Sequence, residues 1–148
     1  MKNRNFIWII SITFVLLNLL FFAIEIYRGK TSNYALTFDS IPAYLIDKIV
    51  LLGKISYNIE LAIIIFLIIL AAYLFKKNND RIIISILIIA SGSFVCLISA
   101  AFISYFTNMA FGNLTQQLST SFIFLLIFGC YTLIKIFFSK ILIKKSKA

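Results

Sequence analysis

Four long apolar runs, Phe6 to Ile26, Tyr57 to Phe75, Ile82 to Phe106 and Leu118 to Phe138, set the terms on which this chain folds. Each is long enough to cross the hydrocarbon core of a bilayer as an α-helix, which takes about 20 residues. Hydrocarbon offers backbone N–H and C=O groups no partner, so a crossing segment must satisfy them within itself as a helix or within a closed barrel. The runs are continuous and do not alternate apolar with polar residues, which excludes the barrel pattern. Composition agrees: 62% of residues are hydrophobic and 13% charged, against about 45–50% and about 25% in soluble domains. A length of 148 residues leaves no room beside four spans for a soluble domain. The expected fold is therefore all-α, a single polytopic membrane domain over 1–148 built as a four-helix bundle with short connections. The first run has Lys2 and Arg4 before it, but its core is long and no small-residue cleavage site follows Glu25 and Tyr27, so it is expected to remain as a signal anchor.

Basic residues near span ends are retained on the cytoplasmic side. With the amino terminus inside, that face holds Lys2, Arg4, Lys76, Lys77, Arg81, Lys135, Lys140, Lys144, Lys145 and Lys147, and the outside holds Arg28, Lys30, Lys48 and Lys54. The expected location is the cell (inner) membrane, with both termini cytoplasmic. The loop from Thr107 to Gln117 carries no charge, which fits an external position. The net charge of +9 reports this topology first; the Lys-rich tail "KILIKKSKA" also suits anionic lipid head groups, at about 1 kcal/mol per basic residue. It is too short and too close to the membrane to read as a nucleic-acid site.

The connection from Arg28 to Ser56 is longer than the others. Within it, residues 40–53 read as an amphipathic helix that lies in the outer interface or closes over the bundle as a lid: Ser40 or Asp39 can cap it, Pro42 suits its first turn and Gly53 can end it. Leu45, Ile46, Ile49, Val50 and Leu52 gather on one side, and Tyr44, Asp47, Lys48 and Lys54 on the other.

Inside the third span Gly92, Cys96, Ala100 and Ser104 recur every fourth residue, a small-residue row on which another helix can pack closely, with Ser121 and Gly129 of the fourth span as counterparts. The same row could instead line a narrow pore. On the first span Ser11, Asn18 and Glu25 are spaced by seven and form one polar stripe, which must face protein or water. Glu25 and Glu60, with Asn58 beside it, enter the outer half of the membrane from the same side, with Arg28 and Lys54 as nearby cations. Asn18, Glu25, Arg28, Asn58 and Glu60 are thus the candidate polar site. The bland reading is that the carboxylates pair with Arg28 and Lys54 or reach the interface, and so fix helix ends.

The chain has no His, and Cys96 and Cys130 lie in different spans without metal-ligand spacing. No metal and no cofactor are expected, and His-ligated haem, the usual zinc sites and a His general base are excluded. Phosphate-loop and nucleophile-elbow motifs are absent as well, so no enzyme is expected. Two functional classes follow. One is a non-enzymatic accessory, assembly or immunity-type subunit acting through helix contacts, with membrane lipids and another membrane protein or further copies of itself as partners. The other is a small carrier or channel using Glu25 and Glu60 at its outer mouth. Intact spans and sparse intramembrane charge favour the first.

Overall fold

The computed structural model describes residues 2–76, 80–107 and 109–145, and among these the side chains of 5–75, 82–107, 109–135 and 137. It contains five helices in this order: α1 (Lys2–Ala35), α2 (Ala43–Lys76), α3 (Asp80–Thr107), the single turn α4 (Phe111–Thr115) and α5 (Leu118–Lys145). Strands are absent among the described residues. Four of the helices, all but α4, are long and apolar enough to cross a membrane. The side chains of Lys2, Arg4, Lys76, Lys77, Arg81, Lys140, Lys144, Lys145 and Lys147, nine of the ten residues assigned to the cytoplasmic face, lie outside the described ones.

The helices form a ring in which α1 touches α2 and α3, and α5 touches α2 and α3. Consecutive α2 and α3 therefore stand diagonally across the bundle. Point contacts fix the directions. Phe6 meets Tyr73, their ring centroids 5.0 Å apart, and the guanidinium of Arg28 lies over Gly53, so α1 and α2 are antiparallel. Phe14 lies against Gly92 and Phe22 packs with Ala100, so α1 and α3 run parallel. Glu60 bonds Gln116 and Phe75 stacks near Phe128, which makes α2 and α5 parallel. The start of α1 and the end of α5 consequently lie at one end of the bundle, the terminal end; the 36–42 turn and residues 109–117 lie at the other, the hairpin end.

Residues 40–53 do not form a separate element. The helix starts at Ala43, two residues after Ile41, with the Pro42 carbonyl accepting from the amides of Leu45 and Ile46, so Ser40 and Asp39 do not cap it. It then runs through Gly53 without a break to Lys76. An interior glycine costs about 1 kcal/mol relative to alanine. Here its missing side chain makes room for Arg28, whose Nη1 lies 3.4 Å from where a Cβ would stand. At 1.5 Å per residue α1 and α2 are each about 51 Å long, against about 30 Å of hydrocarbon core. Together they make a helical hairpin that outreaches the rest of the bundle. The bundle is closed at this end by the α3–α5 connection instead: Met109 and Leu114 are buried with Phe22 and Ala100, Met109 lies over Gly29, and its carbonyl accepts from the Ser104 hydroxyl at 2.7 Å.

The main core occupies the terminal half. Ile10, Phe14, Ile63, Leu67, Leu70, Leu74, Ile82, Ile89, Phe124 and Phe128 are all buried there in one cluster. Phe124, Phe128 and Phe75 add a run of ring contacts between α2 and α5. Many large apolar side chains, Trp8, Leu87, Phe102 and Leu126 among them, point outward, which is the arrangement expected where the surrounding solvent is lipid tails.

Candidate functional site

The polar stripe of α1 turns inward. Asn18 is 1% exposed and Glu25 2%, as residues seven apart on one face must be if that face is the one packed. Ser11, a turn or more closer to the terminal end, is half-buried. The Asn18 amide nitrogen donates to the Phe14 carbonyl at 2.8 Å, and its Oδ1 has no hydrogen-bond partner. Glu25 accepts from Arg28, one turn on, at 2.8 Å. The pair is asymmetric: the Glu25 side chain is 3% exposed and that of Arg28 28%. The buried carboxylate thus has its cation supplied from the rim, the pairing with Arg28 anticipated from sequence.

The other half of the expected site is not assembled. Glu60 on α2 accepts from the Gln116 amide at 3.2 Å, and neither carboxylate contacts the other. With Arg28 opposite Gly53 on antiparallel helices, Glu25 stands level with Ser56, a turn nearer the hairpin end than Glu60. Asn58 is exposed. Lys54 is exposed as well and makes no ion pair among the described residues. Lys48 instead sits 4.8 Å over the ring of Tyr27, a cation–π contact of about 0.5–1 kcal/mol at an exposed site.

The small-residue row on α3 faces α1. A Cβ on Gly92 would stand 2.8 Å from Phe14 Cε1 and 2.9 Å from Cδ1. Ala100 is fully buried against Phe22, and Ser104 turns to the Met109 carbonyl. The row is therefore a slot for aromatic rings of α1. Small residues bring helices together by meeting one another, but they equally hold a large ring, and size complementarity decides which. Gly129 has open space where a side chain would be, and Ser121 is buried with its hydroxyl unpartnered.

Beside this slot, between α1 and α3, lies an open groove of about 630 Å³. Its α1 wall runs from Ser11 to Ile26 and its α3 wall from Ile88 to Ile103. Ser11, Asn18, Gly92 and Cys96 line it together with Ser99, so four of the residues singled out from sequence share one surface feature. A second, smaller groove of about 200 Å³ between α2 and α5 is lined almost wholly by apolar groups such as Leu67, Phe75 and Phe124.

Sequence reasoning passed over Gln117, Ser56, Ser85 and Ser93. All are buried, and Gln117 and the three serine hydroxyls find no partner. Serine in a membrane helix is common enough to draw no attention, and Gln117 falls in what reads as an external loop. Among the described residues no group of His, Cys, Asp and Glu is placed to hold a metal ion. No family model matches the chain, and comparison with curated proteins and with solved structures finds no significant relative.

Proposed function

We propose that the chain is a non-enzymatic accessory subunit that holds a transmembrane helix of a partner membrane protein in the groove between α1 and α3. The groove itself carries this reading. Each wall covers 16 residues, about four turns and some 22 Å of rise, which is most of a bilayer's hydrocarbon thickness. Among apolar side chains such as Phe14, Leu19 and Val95, its lining places Ser11, Ala23, Ser91, Gly92, Cys96 and Ser99, which let a helix backbone come close and offer hydroxyls to it, the two means by which helices associate where lipid tails remove the hydrophobic drive. An acyl chain has no use for the hydroxyls.

The reading is tested by placing a photo-crosslinking amino acid at Ser99 in the groove and, as control, at Phe122 on α5. Expected is an adduct at Ser99 alone, to a transmembrane segment of a companion that co-purifies in constant ratio, and its loss in Ser91→Phe, which fills the groove from an exposed position. Adducts to lipid only, or equally at Phe122, refute it, and an adduct to a second copy replaces the partner with a homo-oligomer. The carrier reading has less support than the sequence alone lent it, because Glu25 is tied to Arg28 and Glu60 to Gln116.

The membrane is taken to be the cell membrane, with the terminal end cytoplasmic, on the bias of Lys and Arg. The hairpin end then lies outside, where exposed Tyr27, Tyr34, Tyr44 and Tyr57 suit the head-group belt and the first turns of α2 lie in the interface. With Cys96 and Cys130 replaced, a cysteine at Asn113 reacts with an impermeant maleimide in intact cells and one at Lys147 does not; the opposite pattern inverts the topology.

A further inference from the structure

We infer that the hairpin half of the bundle holds a file of internal water, entering beside Glu25, running past Gln117 and Asn18, and stopping at the apolar core. The inference shares only Asn18 with the helix-docking groove, whose lining includes none of Gln117, Ser56, Ser93 and Ser121. It starts from polar atoms that are buried and meet no protein partner: Oδ1 of Asn18, both ends of the Gln117 amide, and the hydroxyls of Ser56, Ser93 and Ser121.

Three contacts set these residues on one scale along the bundle: Arg28 against Gly53, Phe14 against Gly92, and Gln116 against Glu60. Counting residues from them, Ser56 stands level with Glu25. Gln117 falls two residues to the hairpin side of Asn18, Ser121 two to the terminal side and Ser93 three. Asn18 on α1, Ser93 on α3, Ser121 on α5 and Gln117 in the turn before α5 therefore lie within about 8 Å of one another along the axis. Each is at most 1% exposed, so all four turn inward, alongside apolar Phe21, Ile63 and Leu118. Glu25 and Ser56 continue the series about 8 Å further toward the hairpin end, where Arg28 reaches the surface. Below Ser93 the interior is closed by Phe14, Leu67, Phe124, Ile89 and Phe128. Ser85 is enclosed in that apolar half and stands apart from the series.

An unmet buried amide or hydroxyl costs about 1–3 kcal/mol on mutational scales. Five such side chains together would use up much of a domain's total stability of about 5–15 kcal/mol. A serine hydroxyl can turn to a carbonyl of its own helix, but neither end of Gln117 and no acceptor at Asn18 is relieved that way. The chemistry of the set selects the ligand. It is neutral, with donors from the Gln117 amide and the hydroxyls and acceptors from the two amide oxygens and the same hydroxyls. Water, which gives and takes two hydrogen bonds each, satisfies such a set. A cation would find the acceptors but leave the donors unmet, and the carboxylate it would need is engaged by Arg28.

The test is magnetisation transfer from water to labelled protein in liposomes, read by solid-state nuclear magnetic resonance. Transfer is expected at the Gln117 side-chain amide and at Cβ of Ser93 and Ser121, and none at the Ile10 and Ile89 methyls. Gln117→Leu should abolish it at Ser93 and Ser121 while leaving Ser56 wet; should that variant not fold, Ser121→Val, deeper in the file, should abolish it at Ser93. Transfer to Ser93 and Ser121 no greater than to Ile89 overturns the proposal. Replacing Na+ by K+ should move none of these signals, and a shift confined to Gln117 and Asn18 would assign the site to a cation in place of water.

Discussion

The two halves of this bundle are made from the same four helices and both contain fully buried side chains, yet they are filled on different principles. Toward the terminal end, Phe14, Leu67, Ile89, Phe124 and Phe128 interlock as an apolar core. Toward the hairpin end the buried positions include Glu25, Asn18, Ser56 and Gln117. In lipid neither filling gains the hydrophobic term that drives soluble proteins together, because lipid tails are as apolar as the core. The terminal half must rely on close packing. The hairpin half adds polar groups that lipid cannot solvate, and these keep the helices together because separating them would expose those groups to hydrocarbon.

The contrast is broken or sharpened by exchanging the two fillings. Ile89→Asn puts a polar side chain among the apolar ones of the terminal half and should lower stability in detergent by about 2 kcal/mol or more. Gln117→Leu, the reverse exchange in the other half, should change it by no more than about 1 kcal/mol in either direction, since a buried amide whose hydrogen bonds go to water makes only a small net contribution to stability. Thermal unfolding midpoints of both variants give the comparison, and equal losses would mean the two halves are not different in kind.

The Glu25–Arg28 pair offers a contrast of comparable size. Arg28→Ala strands a carboxylate that is 3% exposed and should cost about 3 kcal/mol, the low end for breaking a buried pair because Arg28 is partly in solvent. Glu25→Gln keeps shape and leaves a guanidinium that can reach water, so it should cost less than about 1 kcal/mol. Denaturation of the two in the same detergent decides; a larger loss from Glu25→Gln would contradict the asymmetry in burial.

Smallest is the packing contrast along α3 and α5. Gly92→Leu must displace the Phe14 ring and should cost about 1–3 kcal/mol. Gly129→Leu enters open space and should stay within about 0.5 kcal/mol. If the two glycines respond alike, the ring-in-slot contact between α1 and α3 does not hold the bundle.

Much of the architecture was legible before any coordinates. Continuous apolar runs give four helices because hydrocarbon leaves a backbone no other choice, and Ser11, Asn18 and Glu25 share a face because seven residues nearly complete two turns. Helical periodicity also placed Gly92, Cys96, Ala100 and Ser104 in one row. What faces each row was not legible. Gly92 receives Phe14 because α3 neighbours α1, and nothing in either segment states which helices are neighbours in the ring. The end of the amphipathic segment was misread at Gly53 because a glycine signals a helix stop locally, whereas here a side chain from another helix takes up the space it leaves.

The sequence by itself determined the solvent, the number of spans and the inward face of α1, because these follow from local composition and helical period. Only the tertiary structure decided that Glu25 and Glu60 stand apart, that Gln117 lies inside and that residues 109–117 close the hairpin end. These depend on the register of one helix against another. A slide of one turn, about 5.4 Å, leaves every local pattern unchanged but exchanges the neighbours of each polar group, so register is settled by the fit of particular side chains such as Phe14 in its slot and Arg28 over Gly53.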